Sequence, residues 1–216
     1  MELTKILPDK NRLHLAVYGK SGSGKSYLCS KLHEAASSTS IYFNYPRKQA
    51  DDYTIEGRRF SYKTDETKLY KSIQDKQKIK YKPRSDPEHA IKELKALYAL
   101  SKKSDQEVII WIDEAHKYAS KELNTMIDDG RGHMIRFGLI TQYIYRFKDS
   151  NKYGGYILQT IEDTGEYLIF NASNKAKGFF NYYNMPYEDI QRLTKPDYSF
   201  CRIQGNQLIG NNPYRL

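Results

Sequence analysis

The sequence predicts an α/β fold with a mainly parallel central sheet flanked by helices, and three observations predict it. The apolar run Leu13–Tyr18 stops at a glycine-rich loop that opens a helix. The run VIIWI at 108–112 is apolar at every position, as a strand buried on both faces must be, and ends on the carboxylates Asp113-Glu114. Along the whole chain strands alternate with helices, which favours a parallel sheet. No repeat and no linker divides the 216 residues, so a single domain over 1–216 with a full core is expected.

Each element follows from local pattern. Leu13–Tyr18 reads as a strand ended by Gly19, and about Lys25 to Ala36 as a helix. Ser37–Ser40 is a polar break. Ile41–Tyr45 is the second strand, closed by Pro46, and 47–59 is a charged loop containing Gly57. Arg59–Tyr62 is a short strand, and the spacing of Leu69 and Ile73 makes Thr64 to Lys78 helical. In KQKIKYKPR, residues 76–84, Lys76, Lys78, Lys80, Lys82 and Arg84 alternate with other residues. Pro83 and Pro87 bracket a break. Glu88–Lys103 is a helix with Ala90, Ile91, Leu94, Leu97, Tyr98 and Leu100 on one face. Glu107–Ile112 is the third strand, Ala115 to Ile127 a helix, and 128–133 a turn. Phe137–Thr141 is the fourth strand and ends at Gln142. Residues 143–155 are loop with helical pieces and a turn at Gly154-Gly155. Glu166–Phe170 is the fifth strand, followed by helical stretches at Lys175–Tyr183 and Tyr187–Leu193. Tyr198–Ile203 and Gln207–Ile209 form a terminal hairpin around Gly205-Asn206.

The first loop carries chemistry. GKSGSGKS fits G-x-x-x-x-G-K-[ST], with Gly19, Gly24, Lys25 and Ser26 on the fixed positions. A phosphate chain needs several N–H donors around one point, and Gly19, Gly22 and Gly24 let the backbone curl that tightly. The helix behind it offers free N–H groups and a positive dipole end. The candidate nucleotide-binding residues are Gly19, Lys20, Ser21, Gly22, Ser23, Gly24, Lys25, Ser26 and Tyr27. Lys25 reaches the β- and γ-phosphates of ATP, and the Ser26 hydroxyl ligates Mg²⁺.

The second run completes such a site. The carboxyl end of a buried parallel strand opens onto the ligand crevice, where Asp113 holds Mg²⁺. Glu114 points differently and orients or deprotonates an attacking water, a group that simple nucleotide kinases do not need. If the strand ending in Gln142 lies between the loop strand and the Asp113 strand, Gln142 faces the γ-phosphate. Arg131 precedes that strand at its far end, away from its own nucleotide and placed to project towards a neighbouring subunit.

Composition sets the bounds. Lys+Arg 35 against Asp+Glu 26 leaves +9, a balance that suits a polyanionic partner. Between residues 63 and 104, 12 Lys/Arg face 6 Asp/Glu, which makes the basic run Lys76–Arg84 the candidate DNA contact. Cys29 and Cys201 are too few for a disulfide framework or a zinc site and point to a reducing compartment. The N-terminus is not a signal peptide, and no apolar run is long enough to span a membrane. The 20 tyrosines read mainly as amphipathic packing.

Together GKSGSGKS, VIIWIDE and GR followed by a strand ending in TQ resemble the FtsK–HerA superfamily of ring-forming DNA-pumping ATPases, whose fold is the P-loop NTPase type with an additional strand, as in RecA. The small size is similar to the genome-packaging ATPases of icosahedral archaeal viruses. The resemblance implies ATP hydrolysis with Mg²⁺, coupled to translocation of double-stranded DNA by a homo-oligomeric ring of about five or six subunits. It also implies an intracellular setting (the host cytoplasm for a virus) and contact with a capsid or virion membrane protein. By motif position, Asp113 holds the metal, Glu114 is the catalytic base, Gln142 the sensor and Arg131 the finger. Met134 departs from the pattern, since many relatives carry a small residue three positions after the arginine. DEAH at 113–116 also resembles a large helicase class, but those enzymes need two cores, and His116 then reads as the first turn of a helix. The alternatives are a filamentous-phage assembly ATPase, whose relatives usually carry a membrane span, and a small-molecule kinase.

Overall fold

A computed structural model describes residues 5–8, 14–44, 55–144, 146–147, 157, 160–161 and 165–215. The expectations for residues 1–4, Leu13, Tyr45, Pro46 and the Gly154-Gly155 turn lie outside these residues.

A nine-stranded sheet runs through the molecule. Its strands are β1 (His14–Tyr18), β2 (Thr39–Phe43), β3 (Arg58–Ser61), β4 (Lys78–Lys82), β5 (Val108–Ile112), β6 (Ile135–Thr141), β7 (Glu166–Phe170), β8 (Ser199–Gln204) and β9 (Gln207–Arg215). The order is β3-β4-β2-β5-β6-β1-β7-β8-β9. Every pairing from β3 across to β7 is parallel, and the hairpin β8–β9 adds antiparallel at the end. The helices described over their whole length are α1 (Lys25–Ala35), α2 (Glu66–Gln74), α3 (Pro87–Ser104), α4 (Lys121–Gly130), α5 (Lys177–Tyr182) and α6 (Tyr187–Thr194).

The two faces are covered by different helices, which is why the parallel strands are apolar on both sides. Leu28, Cys29 and Leu32 of α1 pack with Leu15, Val17, Tyr42, Ile109 and Trp111 on one face. Helices α2 to α6 cover the other, over Ile41, Phe43, Ile79, Ile110, Phe137 and Leu139. Trp111 pairs with Gly138 across β5–β6, and a Cβ there would lie 2.2 Å from the indole. Only glycine lets that ring lie flat on the neighbouring strand.

The helix expected from Ala115 to Ile127 is broken. Glu114 takes a left-handed φ of 52°, and a single 3₁₀ turn spans Ala115–Lys117. Ser120 then becomes extended and caps α4, its hydroxyl accepting from the Leu123 N–H. The cap serine outcompetes helix continuation, because its side chain satisfies an otherwise orphan amide. Asp65 and Asp86 cap α2 and α3 in the same way. The basic run 76–84 is partly strand: β4 lies between β2 and β3, with Ile79 and Tyr81 turned into the core.

A buried polar chain ties α1 to the sheet. Trp111 Nε1 donates to Ser40 Oγ at 3.0 Å, and Ser40 Oγ lies 2.7 Å from His33 Nδ1. His33 Nε2 lies 3.0 Å from the Glu56 carbonyl, so it carries the hydrogen and Nδ1 accepts. Burial lowers the His33 pKa to about 4. His14 is lowered to about 4 by burial as well. A folded pKa below the unfolded value means that the unfolded chain binds more protons between the two. Stability is therefore complete above about pH 6.5 and falls as the pH drops towards 4. For His33 the loss reaches about 3 kcal/mol. Urea unfolding across this range should show a reduced slope in His33→Gln, and an unchanged slope would contradict the assignment.

Candidate active site

The sheet brings every predicted site residue except Arg131 and the first part of the basic run, Lys76 to Lys80, to one edge, the carboxyl ends of the parallel strands; Lys82 ends β4 at that edge and Arg84 follows it. β1 runs into the loop 19–24 and α1 begins at Lys25. Gly22 and Gly24 have φ of 75° and 94°, values that side chains rarely adopt, so the tight curl depends on them. Gly19 donates its N–H to the Thr141 carbonyl at 3.4 Å, joining the loop to the end of β6. No side chain caps α1, which leaves its first amides facing the loop. Lys25 is buried and its Nζ donates to the Lys20 carbonyl at 2.7 Å. Ser26 is half-buried in the first turn, while Lys20, Ser21 and Tyr27 are exposed.

Asp113 stands at the end of β5, 1% exposed. Its charge and that of Lys25 both act on Cys29 beneath the loop: burial raises the thiol pKa well above its usual value, Asp113 raises it further, and Lys25 opposes them. The charges of the carboxylate and the ammonium are thus both felt at this one buried position. A serine hydroxyl and one carboxylate beside a phosphate cradle form a donor set of the kind Mg²⁺ takes, with phosphate and water filling the rest.

β6 lies between β5 and β1, the arrangement on which the Gln142 expectation depended. Gln142 Nε2 donates to Glu114 Oε1 at 2.6 Å. The left-handed backbone of Glu114 turns its side chain sideways from Asp113 and towards the end of β6. A role for His116 was not foreseen. The residue sits in the first turn after β5, as expected, but its Nδ1 lies 2.9 Å from Thr141 Oγ1 and 3.4 Å from Glu114 Oε2. Burial holds its pKa below the ordinary histidine value, to about 4, so the imidazole is neutral at physiological pH. The histidine spacing from Asp113 was visible in the sequence; the contact with Thr141 depends on strand order and was not.

Arg131 lies in the 3₁₀ turn Arg131–His133 before β6, at the opposite edge of the sheet, and is exposed. Its charge helps to lower the pKa of His14 at the start of β1. Met134 adopts a left-handed φ of 55° and is 48% exposed, which places this departure from the family pattern at the bend into β6. In the basic run, the Lys78 ammonium donates to the Ala36 and Ser38 carbonyls. Arg84 pairs with Glu93 at 3.3 Å and lies over the Tyr62 ring. These two cations have structural partners, whereas Lys76 and Lys82 are exposed and Lys80 half-buried.

A glycine loop into a helix, a buried aspartate at the end of the β5 strand and a glutamate held by a glutamine from an intervening strand define a nucleotide-binding P-loop ATPase. Residues 9–143 match the model of the AAA domain family, and the chain belongs to that family. No curated protein matches the chain in sequence. Among solved structures it is similar to the genome packaging NTPase B204 of Sulfolobus turreted icosahedral virus 2 in complex with AMP, at 16% identity and a TM-score of 0.65, covering 93% of this chain and 96% of that one. It is also similar to VirB4 of Thermoanaerobacter pseudethanolicus, at 11% identity and a TM-score of 0.62, covering 100% of this chain and 93% of that one. ATPases 2 and 3 of Thermomonospora curvata EccC give 11% identity and a TM-score of 0.58, over 96% of this chain and 38% of that one. These neighbours are FtsK–HerA-type ATPases, so the resemblance read from the three motifs holds at the level of fold.

Proposed function

We propose that the chain is a single ATPase domain over 1–216 that hydrolyses ATP with Mg²⁺ and uses the energy to move double-stranded DNA. Lys25 and the loop amides bind the phosphates, Ser26 and Asp113 hold the metal, and Glu114 activates the attacking water. Gln142 reports the γ-phosphate, and Arg131 reaches the site of the next subunit in a ring. The observation that carries the hydrolase reading is the contact between Gln142 and Glu114, because a kinase acting on a small molecule needs an acceptor pocket there and no second carboxylate. The likeness to a viral genome packaging NTPase over nearly the whole chain, with the net charge of +9, supports packaging of a viral genome as the task. On that reading the protein works inside the host cell and meets a capsid or virion membrane protein. A filamentous-phage type of assembly ATPase is the second reading, and those relatives usually carry a membrane span. Among the described residues no helix is long and apolar enough to cross a membrane.

The test is ATP hydrolysis with and without double-stranded DNA, alongside the particle mass. DNA should raise the rate of an assembled ring, and a rate indifferent to DNA would favour the kinase reading. Lys78 is committed to backbone carbonyls, so the DNA contact is probed by changing Lys76, Lys80 and Lys82 to Gln. The slope of log affinity against log salt should flatten by about 0.9 for each phosphate no longer neutralised, equally for all DNA sequences. An unchanged slope would place the DNA elsewhere.

A further inference from the structure

A cavity of about 240 Å³ opens beside the phosphate loop, on the side away from Glu114. One wall is loop residues 20–23. The other is Asn171, which follows β7, together with Asp197 and Tyr198, which lead into β8, and Ser199, its first residue. Two independent features mark this second wall. Tyr198 has a φ of 56° and is 58% exposed. A bulky residue held in the left-handed region and turned to solvent is unusual, and such residues cluster at ligand clamps. Ser199 is 1% exposed and Ser23 9%; the two residues line the cavity from opposite walls, and the buried hydroxyls of both have no hydrogen-bond partner among the described residues. Buried polar atoms without protein partners are completed by an ordered water or a bound group.

Strand order shows which end of a nucleotide would enter. β5 and β6 bring Asp113, Glu114 and Gln142 to one side of the loop strand β1, and β7 and β8 lie on the other. A triphosphate with its γ end at Glu114 extends its nucleoside end towards β7 and β8. We propose that this cavity holds the nucleoside half of the bound nucleotide, with the Tyr198 ring stacked on the base and Asp197, Ser199 and Asn171 around it. The proposal rests on the phosphate loop being the nucleotide site. It makes the C-terminal segment, far from every motif, part of nucleotide recognition.

Binding of Mg²⁺-ATP and of Mg²⁺-tripolyphosphate, which lacks the nucleoside, separates the two readings. Wild-type protein should bind ATP the more tightly. Tyr198→Gly removes the ring and suits the left-handed backbone, so folding is spared. It should weaken ATP binding about tenfold or more, the scale of base–aromatic stacking, and leave tripolyphosphate affinity unchanged. Tyr198→Phe should bind ATP as the wild type does. Equal affinity of wild-type protein for ATP and tripolyphosphate, or a Tyr198→Gly protein that binds ATP normally, would overturn the proposal while leaving the phosphate site standing. A wild-type protein that binds neither probe would remove the nucleotide reading itself and the proposal with it.

Discussion

Glu114→Gln is expected to bind ATP with near wild-type affinity and to lose turnover. The substitution is isosteric and keeps an oxygen that accepts the hydrogen bond now made by Gln142 Nε2 at 2.6 Å, so the left-handed turn and the end of β6 stay in place. The phosphate loop, Lys25 and Asp113 are untouched. What is removed is the proton-accepting carboxylate, and general-base catalysis of this kind contributes about 10²–10⁴ in rate. Lys25→Ala behaves in the opposite way: it removes the cation at the β- and γ-phosphates, so binding itself weakens. Nucleotide titration and steady-state hydrolysis distinguish the two variants. A Glu114→Gln protein that turns over at the wild-type rate would reject Glu114 as the base. The same protein, able to bind and unable to fire, also serves as the trapped partner for the subunit-mixing experiment below.

Much of the site was legible because each of its residues sits where one kind of sequence gives way to another. Tyr18 to Gly19, Ile112 to Asp113 and Thr141 to Gln142 are each the point at which an apolar strand gives way to a loop glycine, a carboxylate or an amide. In a parallel sheet, all such ends meet at one edge. The terminal hairpin was legible from Gly205-Asn206, although β9 continues to Arg215, past the Ile209 at which its pattern fades. The break at 118–120 was obscured because Ala115 to Ile127 is apolar at helical spacing, and a helix restarted by a serine cap has the same spacing as one that never stopped. In β4 the alternation of Lys78, Lys80 and Lys82 with Ile79 and Tyr81 is a strand pattern. Its charge drew attention to phosphate binding, whereas Lys78 closes the end of α1 by binding the Ala36 carbonyl. The wall formed by Asn171 and Asp197–Ser199 was not legible at all. It depends on β7 lying beside β1, a pairing between segments about 150 residues apart in the chain, with β8 next to β7, and no local pattern encodes that distance.

Arg131→Ala is expected to bind ATP almost normally and to be inactive as a homogeneous protein. Charge builds on the γ-phosphoryl oxygens in the transition state, and a cation supplied there is worth about 10³–10⁵ in rate in other nucleotide hydrolases. Arg131 cannot serve its own site. It precedes β6, and Gln142 follows the same strand, whose seven residues separate them by about 20 Å at the usual rise per residue. It is exposed at the edge opposite the phosphate loop, beside His14 at the start of β1. Arg136 is a weaker candidate, because it is 6% exposed and paired with Glu107 at the start of β6. If Arg131 works across an interface, catalysis requires assembly, and two inactive proteins can complement each other. Arg131→Ala mixed with Glu114→Gln, under conditions that exchange subunits, should regain part of the activity, since some interfaces then pair an intact Glu114 with an intact Arg131. Hydrolysis measured against mixing ratio should rise to a maximum between the pure proteins. A flat zero, with mixed rings demonstrated by mass, would argue against action in trans by Arg131, and full activity of Arg131→Ala alone would exclude a finger role for it.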